Sequence, residues 1–176
     1  MSRQDLKNFD TIRMAGVVRE SIVDGPGLRF AVFCQGCAHG CDGCHNQETH
    51  DFDGGYDCHI SKIIAAVDQD PLLDGVTFSG GEPFCQSEAF YNLATELKKR
   101  GLNLMAYSGY TYEELLSLKS EAVDKLLSQL DLLVDGRYMA DKRDLTLLFR
   151  GSSNQRIIDM NATRREGRVV LAEKYI

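Results

Sequence analysis

Three cysteines of this chain stand so close together that no helix or strand fits between them. Cys37, Cys41 and Cys44 follow a C-x3-C-x2-C pattern, and five of the six cysteines and all four histidines fall between Cys34 and His59. Because the loop is so short, its thiols must converge on one centre, and soft thiolate ligands select zinc, copper(I) or iron–sulfur. The pattern therefore predicts a metal or cluster site.

The spacing leaves three occupants open. A zinc site would use four closely spaced cysteines, or take His39 or His45 as a fourth ligand, but such sites usually separate their cysteine pairs by a dozen or more residues. A cluster held by four cysteines is coordinatively closed and transfers electrons only. A cluster held by three leaves one iron free to bind a substrate or cofactor, like the open position of a catalytic zinc site.

The size and composition of the chain favour one cytoplasmic domain. With 176 residues and 43% apolar content, the chain is long enough for one core and short for two, so we expect a single domain over residues 1–176. It has no apolar run of membrane-spanning length, and residues 1–10 lack the layout of a signal peptide. Cysteines crowded into one segment in a reducing compartment are expected to be ligands or catalytic groups before disulfides.

The charge argues against nucleic acid as the main partner, because the formal net charge is −6. The charged residues are distributed unevenly along the chain. Residues 137–176 hold nine Lys and Arg against five Asp and Glu. This basic C-terminal part is a candidate for facing an anionic ligand or an acidic protein surface.

Strand and helix patterns alternate along the chain. The predicted strands cover residues 28–33, 75–79, 102–107 and 130–134, and the predicted helices cover 60–68, 88–100 and 112–129, the last with a break near Lys119. Strands that are nearly all apolar and alternate with helices indicate a parallel sheet buried on both faces.

Four polar or glycine-rich segments follow the predicted strands. They are the cysteine loop (residues 37–44) and the segments 79–82, 108–110 and 135–137. Because ligands gather at the carboxyl ends of parallel strands, we expect these segments to meet at one rim of the sheet and to form one site.

Several motifs together resemble a known family. The loop Cys-Ala-His-Gly-Cys-Asp-Gly-Cys is similar to that of radical S-adenosylmethionine (SAM) enzymes, and its continuation Cys-His-Asn resembles their glycyl-radical activating branch. The match continues in order through Asp-Gly-Pro-Gly, Ser-Gly-Gly-Glu-Pro, Tyr-Ser-Gly-Tyr, Leu-Val-Asp-Gly-Arg-Tyr and Arg-Gly-Ser-Ser-Asn-Gln, across residues 22–158. The set resembles the activating proteins of anaerobic ribonucleoside-triphosphate reductase.

The resemblance implies a mechanism and its partners. Cys37, Cys41 and Cys44 would hold a 4Fe-4S cluster whose fourth iron binds SAM. One electron, from a flavodoxin- or ferredoxin-type donor, would cleave SAM to methionine and a 5′-deoxyadenosyl radical. That radical would take a hydrogen atom from a glycine of the catalytic subunit of anaerobic ribonucleotide reductase.

The expected SAM contacts fall into three groups. The resemblance assigns the adenine side to Gly43, Cys44 and His45, and the methionyl amino group to Ser79, Gly80, Gly81 and Glu82. The two glycines would let the backbone approach the amino group, and Glu82 would complement the ammonium or fix the turn. From their rim position and charge we expect Asp135 and Arg137 to contact the ribose hydroxyls or the methionyl carboxylate.

The remaining expectations concern the opening of the site. A closed (β/α)8 barrel needs about 250 residues, so we expect an incomplete (β/α) barrel of parallel strands of the radical SAM type, open on one side to admit a loop of a protein substrate. Residues 150–155 would form a lip of the opening or a wall of the pocket, with Asn154 and Gln155 able to bond an inserted glycine loop.

Two rival functions are a small radical SAM enzyme acting on a metabolite or nucleoside precursor, as in carboxydeazaguanine synthases, and an iron–sulfur carrier. The segment 150–155 and the shortness of the chain favour the activating protein over the first rival, and the rim motifs argue against a carrier. Cys34, Cys58 and Cys85 are expected to be structural, since free cysteine is among the most buried residue types.

Overall fold

The computed structural model describes residues 9–176, which form one seven-stranded sheet with five α-helices. The strands are β1 Thr11–Ser21, β2 Arg29–Cys34, β3 Tyr56–His59, β4 Gly75–Gly80, β5 Asn103–Tyr107, β6 Leu132–Asp135 and β7 Arg156–Asp159. Their order across the sheet is β3-β1-β2-β4-β5-β6-β7. The sheet is open, with β3 and β7 at its two edges.

The sheet contains the four predicted parallel strands and three further strands that the sequence does not predict. Strands β2, β4, β5 and β6 pair in parallel, and these are the four predicted strands, each within two residues at its ends. β1 and β3 at one side and β7 at the other pair antiparallel. The result is an open, mixed α/β sheet, and the expected incomplete (β/α) barrel of parallel strands stays a prediction.

Four of the five helices lie in the segments that the apolar periodicity predicts, and the fifth, Met160–Glu166, was not predicted. They are α1 Ile60–Asp68, α2 Ser87–Lys99, α3 Tyr112–Ser117, α4 Glu121–Gln129 and α5 Met160–Glu166. Lys119, which has a left-handed φ of 49°, separates α3 from α4, and this confirms the predicted break. Thr111 and Ser120 accept hydrogen bonds from backbone amides in the first turns of α3 and α4, so the second segment begins as a separately capped helix.

All five helices contribute to an apolar core on one face of the sheet. Successive residues of a strand point to opposite faces, so a strand supplies side chains to this core and to the other face. In β5, Leu104 and Ala106 belong to this core. Met105, between them, belongs to a smaller cluster on the other face with Leu132, Val134, Ile157 and Ala172. The second face is therefore covered by loops and the C-terminal segment, and it has room for cavities.

Arg29 ties the Asp-Gly-Pro-Gly turn to the second face. Its side chain is fully buried and donates to the Pro26 carbonyl, the Thr77 hydroxyl and the backbone carbonyls of Val76 and Asn103. Burial lowers the pKa of the guanidinium to about 10, which still leaves it charged at neutral pH. Four acceptors compensate the buried charge and hold the turn against β4 and β5.

Candidate iron–sulfur site

The cysteine loop leaves the sheet directly after β2 and is anchored at its base by backbone hydrogen bonds. The Gly36 amide donates to the Thr49 carbonyl at 2.7 Å, and the Cys37 amide donates to the His50 carbonyl at 3.1 Å. Further along, Gly40 and Gly43 adopt left-handed φ values of 61° and 71°. These two turns, which favour glycine, reverse the chain between successive cysteines.

The three thiols of the C-x3-C-x2-C pattern line one small cavity. Cys37, Cys41 and Cys44 border a space of about 120 Å³. All six cysteines are free thiols. Within residues 9–176, no three or more His, Cys, Asp or Glu side chains form a group that could hold a metal ion.

The same cavity confirms that the predicted rim exists. Besides the cysteine loop, its walls include residues from the three segments that follow β4, β5 and β6. These residues are Gly80, Gly81, Glu82, Ser108, Gly109 and Gly136. Four stretches that are far apart in sequence thus meet where the parallel strands end.

The surroundings of the thiols suit an electropositive ligand. Burial raises the pKa of Cys37 and of Cys41, and the neighbouring Cys44 thiol adds to the rise at both. The Asn46 amide points at Cys44 Sγ from 3.4 Å, a donor that stabilises a thiolate. The three thiols are not arranged to hold a single metal ion as they stand. The chemistry of three soft ligands with an N–H donor beside one of them nevertheless suits an iron–sulfur cluster, in which hydrogen bonds to sulfur tune the reduction potential.

A second, larger cavity adjoins the first. Its volume is about 510 Å³, and it shares five wall residues with the cysteine cavity, which are Cys44, Gly80, Tyr107, Tyr138 and Gln155. A groove of about 1090 Å³ lies at the other end of the sheet, between Asn103, Asp131 and residues 168–176, but no thiol lines it. The two cavities at the rim together form the candidate site.

Arg150 gives the larger cavity an unusual polar wall. The residue lines the cavity, and its Nε is buried with no hydrogen-bond partner among the described residues. Its Nη1 makes only a long bond, 3.4 Å, to the Gln155 carbonyl. A buried donor without a partner is costly, so Arg150 is suited to an anionic group of a ligand. The segment 150–155 was expected to form a lip or pocket wall, and Arg150, Gly151 and Gln155 do line this cavity.

Asn154 and Gln155 are engaged within the protein. The Asn154 side chain donates to the Arg137 carbonyl. Gln155 accepts from the Gly151 and Ser152 amides and donates to the Gly136 carbonyl. They therefore brace the walls of the site, and the predicted bonding to an inserted glycine loop stays a prediction.

Gly80 and Gly81 are required by packing against the protein itself. A Cβ on Gly80 would lie within 3.0 Å of the Cys34 backbone, and one on Gly81 within 3.0 Å of the Gly36 carbonyl, distances that real Cβ atoms do not keep. Gly80 also has a φ of 97°, which other residues rarely adopt. The two glycines let the end of β4 pass directly beneath the start of the cysteine loop.

Glu82 is buried and held by several donors. Its carboxylate accepts from the Phe84 amide, the Gly109 amide and the Ser108 hydroxyl, and it lies 2.7 Å from His39 Nε2. Glu82 caps the short 3-10 helix Pro83–Gln86. Of its two expected roles, fixing the turn is the one visible in these contacts.

Asp135 and Arg137 are held by ion pairs within the protein. The Asp135 side chain is 1% exposed, accepts from the Tyr112 amide at 2.7 Å and forms an ion pair with Arg156. Arg137 is 47% exposed and pairs with Glu114 at 3.3 Å. Neither side chain lines the site, whereas Gly136 between them does, so their direct contact with a cofactor stays a prediction.

The other predicted contacts are distributed over both cavities. Ser79 and His45 line the larger one, and the exposed His45 ring lies 5.2 Å from that of Tyr138. A Cβ on Gly43 would contact the Tyr138 ring. Sequence reasoning did not single out Tyr107, Tyr138 or Asp24 as wall residues, although Tyr107 ends a predicted strand at the rim.

The cysteines outside the pattern lie elsewhere. Cys34 is fully buried in the helix-side core, and burial raises its pKa well above the usual value. Cys58 packs at the edge of the same core from β3. Cys85 lies in the short helix after β4 and is exposed, so the expectation that it is a buried structural thiol is wrong. None of the three lines either of the two rim cavities.

Comparison with protein families identifies the class. Residues 23–158 match the family model described as a 4Fe-4S single cluster domain. The match spans the cysteine loop and every rim segment. The chain therefore belongs to the 4Fe-4S single cluster domain proteins, a finding that favours a cluster over zinc.

Relatives narrow the class further. The chain is 33% identical over 142 residues to the anaerobic ribonucleoside-triphosphate reductase-activating protein of Salmonella typhimurium, covering 76% of this chain and 90% of the relative. The protein of that name from Vibrio cholerae is 33% identical, with 76% and 89% covered, and that of Enterobacteria phage T4 is 31% identical, with 77% and 86% covered. These similarities place the chain in the family of anaerobic ribonucleoside-triphosphate reductase-activating proteins, as the motifs suggest.

Two further findings complete the comparison. The crystal structure of QueE from Escherichia coli aligns with a TM-score of 0.46 at 16% identity, covering 57% of this chain and 53% of that one. Among residues 9–176, none of the helices has the length and apolar character needed to cross a membrane.

Proposed function

We propose that this protein is an enzyme that activates anaerobic ribonucleoside-triphosphate reductase by generating a glycyl radical on it, with the whole chain, residues 1–176, acting as one domain. The observation that carries the proposal is the similarity to activating proteins of that name over three quarters of the chain. The proposal is also supported by the small cavity, which is lined both by the three thiols and by the rim segments.

Cys37, Cys41 and Cys44 would hold a 4Fe-4S cluster at the small cavity. Such a cluster supplies one electron to SAM, whose C–S bond breaks to give methionine and a 5′-deoxyadenosyl radical. The electron would come from a flavodoxin- or ferredoxin-type donor. The Asn46 amide at Cys44 Sγ would stabilise the thiolate ligand and help set the potential.

The larger cavity would bind SAM. Its volume of about 510 Å³ lies in the range usual for small-molecule sites, about 300–1,000 Å³. The unpartnered Nε of Arg150 is suited to the methionyl carboxylate, and the rings of His45 and Tyr138 offer a surface for the adenine. Ser79 and the shared wall residue Gly80 would approach the methionyl end, while Gly43 leaves space beside Tyr138.

Three charged residues of the rim would contribute by holding turns of the backbone in place. Glu82, saturated by backbone and side-chain donors, would fix the turn at Gly81. Asp135, through Arg156, would hold the Gly136 turn that lines the cavity, and Arg137 would support the same turn through Glu114. In this account a direct contact of Asp135 or Arg137 with SAM requires these ion pairs to open.

The target glycine would reach the site from the helix-free face. That face carries apolar side chains beside the larger cavity, which are Ile22, Val23, Leu145 and Leu148, each more than half exposed. Val23 and Leu145 also line the cavity wall. An incomplete barrel of this kind would admit a loop of the reductase, and exposed apolar groups around the opening would pack against it.

The test follows the transferred hydrogen. The reconstituted protein is incubated anaerobically with SAM, a reductant and reductase whose glycines carry deuterium at Cα, and the 5′-deoxyadenosine is analysed by mass spectrometry. The proposal predicts one deuterium in 5′-deoxyadenosine and none with Cys41→Ser, because the glycine hydrogen moves to the 5′ carbon.

Two results would contradict the proposal. One is 5′-deoxyadenosine formed in quantity without deuterium, which would favour the metabolite-directed enzyme. The other is electron transfer with no cleavage of SAM, which would favour a carrier.

A further inference from the structure

The imidazole of His39 is buried although it lies in an exposed stretch of the cysteine loop. Its neighbours Ala38 and Gly40 are exposed, whereas the His39 side chain is 6% exposed. The ring Nε2 lies 2.7 Å from Oε2 of Glu82, whose side chain is 1% exposed. The same Oε2 accepts from the Gly109 amide, so it acts as an acceptor here and the ring nitrogen is assigned as the donor.

The absence of a side chain at Gly109 leaves space for the His39 ring. A Cβ on Gly109 would overlap the His39 ring, at a separation that real atoms do not keep. The φ of Gly109 is not in the left-handed region, so its backbone conformation does not require glycine. Glycine is needed here because a larger side chain would occupy the position of the His39 ring. The ring of Tyr110 meets the imidazole edge-on, with 4.5 Å between centroids, a favourable arrangement for two aromatic rings.

Glu82 is fixed independently of the cysteine loop. The Phe84 amide holds one carboxylate oxygen at 3.1 Å, the Gly109 amide holds the other at 2.8 Å, and the Ser108 hydroxyl reaches both. These donors belong to the segments after β4 and β5. His39 attaches the cysteine loop to a carboxylate that the sheet has already placed.

We propose that His39 is a positioning residue that fastens the middle of the cysteine loop to the rim, so that the three thiols face the cavity before a cluster is assembled. The inference rests on the proposed function only in taking the loop as the cluster site. Backbone bonds anchor the loop at Gly36 and Cys37, but the next residues include two left-handed glycines. Ordering such a stretch costs conformational entropy, which the buried hydrogen bond and ring contact offset.

Hydrogen–deuterium exchange of the cluster-free protein tests this directly. His39→Ala is expected to speed exchange of the amides of residues 38–44 by about tenfold, because the loop opens locally more often. His39→Gln keeps a donor near the position of Nε2 and is expected to restore most of the protection. The matched control is His59→Asn, which removes an exposed imidazole that caps α1 and leaves a residue that caps well.

A second variant displaces the ring without removing it. Gly109→Ala places a methyl group in the ring position and is expected to speed exchange over the same residues. Its control is Gly16→Ala, where an added Cβ meets nothing within 4 Å. The comparison of Gly109→Ala with Gly16→Ala tests the role of the His39 ring even if His39→Ala fails to fold.

Cluster retention gives a third measurement. After anaerobic reconstitution, His39→Ala is expected to lose iron to a chelator about fivefold faster than the unaltered protein, since local opening exposes the thiol ligands, and His39→Gln at an intermediate rate. The rank order identifies the hydrogen bond as the cause.

Unchanged loop exchange in both His39→Ala and Gly109→Ala would overturn the inference, and so would equal loss of protection in His39→Gln and His39→Ala. Failure of the proposed function is distinguishable, because exchange in the cluster-free protein depends on neither SAM nor the reductase.

Discussion

At the scale of single residues, the surroundings of a cysteine decide its role more clearly than its spacing does. Cys34 lies three residues before Cys37, yet it is fully buried among apolar side chains of the helix-side core. Cys37 lies beyond the strand end and lines the cavity. The alternation of faces along β2 sends Cys34 towards the helices, so four nearby thiols divide into three candidate ligands and one core residue.

Substitution of single cysteines tests this division. Cys37→Ser, Cys41→Ser and Cys44→Ser are each expected to reduce bound iron at least severalfold after anaerobic reconstitution, because these three thiolates are the ligands of the proposed cluster. Cys58→Ser should retain the iron of the unaltered protein. Iron and acid-labile sulfide per chain are the measurements, and full iron content in any of the first three would remove that residue from the ligand set.

Cys34→Ser separates stability from metal binding. It should keep its iron but lower the free energy of unfolding by about 1–3 kcal/mol, because it buries a hydroxyl group among apolar neighbours. Urea unfolding of the cluster-free protein measures the loss. If Cys34→Ser lost iron as readily as Cys41→Ser while keeping its stability, Cys34 would be a ligand.

The roles of charged rim residues were harder to predict than those of the thiols. Sequence position places Asp135 and Arg137 at the end of β6, and the structure agrees. Their side-chain directions depend on partners that are distant in sequence, Arg156 for Asp135 and Glu114 for Arg137. No local pattern reveals such pairs. His39 is a similar case, because its burial depends on a glycine seventy residues away.

At the scale of elements, close backbone contact joins the end of β4 to the cysteine loop. The Gly81 amide donates to the Cys34 carbonyl and the Glu82 amide donates to the Gly36 carbonyl. These bonds continue the parallel pairing of β2 with β4 past the strand ends. The loop that carries the thiols is therefore placed by the sheet itself.

Gly81→Ala tests this contact. The added Cβ would collide with the Gly36 carbonyl, and we expect the free energy of unfolding to fall by at least about 2 kcal/mol, in the range of overpacked sites. Gly16→Ala, where the Cβ meets open space, should change it by less than about 0.5 kcal/mol. Urea unfolding of both cluster-free proteins is the measurement, and equal stabilities would contradict the proposed packing.

Asp131 links three elements and makes stability depend on pH. Its carboxylate accepts from Lys98 in α2, the Leu104 amide in β5 and Asn161 in α5. Burial opposes the charge, but these hydrogen bonds outweigh it and lower the pKa of Asp131. A carboxyl whose pKa is lower in the folded state stabilises the fold above its unfolded pKa, about 3.9, and loses that contribution as the pH falls through the folded value.

Asp131→Asn should therefore be less stable than the unaltered protein at pH 7, by about 1–3 kcal/mol for hydrogen bonds to a charged group. The difference should narrow below about pH 4, where the carboxylate becomes protonated. Glu20→Gln, at an exposed position of β1, should differ from the unaltered protein by less than about 0.5 kcal/mol at pH 7. A gap that stays constant from pH 7 to pH 3 would exclude this role for the Asp131 charge.

The sequence predicts the central strands better than the outer ones for a physical reason. β2 and β4 are buried on both faces and, apart from Arg29 at the start of β2, consist of apolar or small residues. β1 is buried at alternate residues only in its first part and exposed in its second, and β3 and β7 have four residues each. Their antiparallel pairing depends on long-range contacts, so the mixed sheet was not predictable from local pattern.

At the scale of the whole molecule, the basic C-terminal part contributes largely to internal structure. Arg156 pairs with Asp135 and Glu113, Arg164 donates to the carbonyls of Leu127 and Leu130, and Arg168 pairs with Glu166. Arg150 differs, because it lines the larger cavity with a buried donor free among the described residues. Arg150 is therefore the clear candidate in this part of the chain for contacting the expected anionic ligand.

The molecule as a whole places its thiols and its larger cavity on the face that the helices leave uncovered. The five helices pack on the opposite face, and the two rim cavities share walls. A cofactor in the larger cavity would lie between the cluster site and the exposed apolar residues around the opening. This arrangement suits a reaction carried from a cluster, through a cofactor, to a partner protein.

Electron paramagnetic resonance shows whether the protein generates a glycyl radical. The reconstituted protein, SAM and a one-electron reductant are mixed anaerobically with and without the anaerobic reductase, and the spectrum is recorded. We expect a glycyl-radical doublet on the reductase, and no doublet when Cys41→Ser replaces the unaltered protein. Cleavage of SAM with no radical on the reductase would exclude the proposed function, as would a protein that contains zinc and leaves SAM intact.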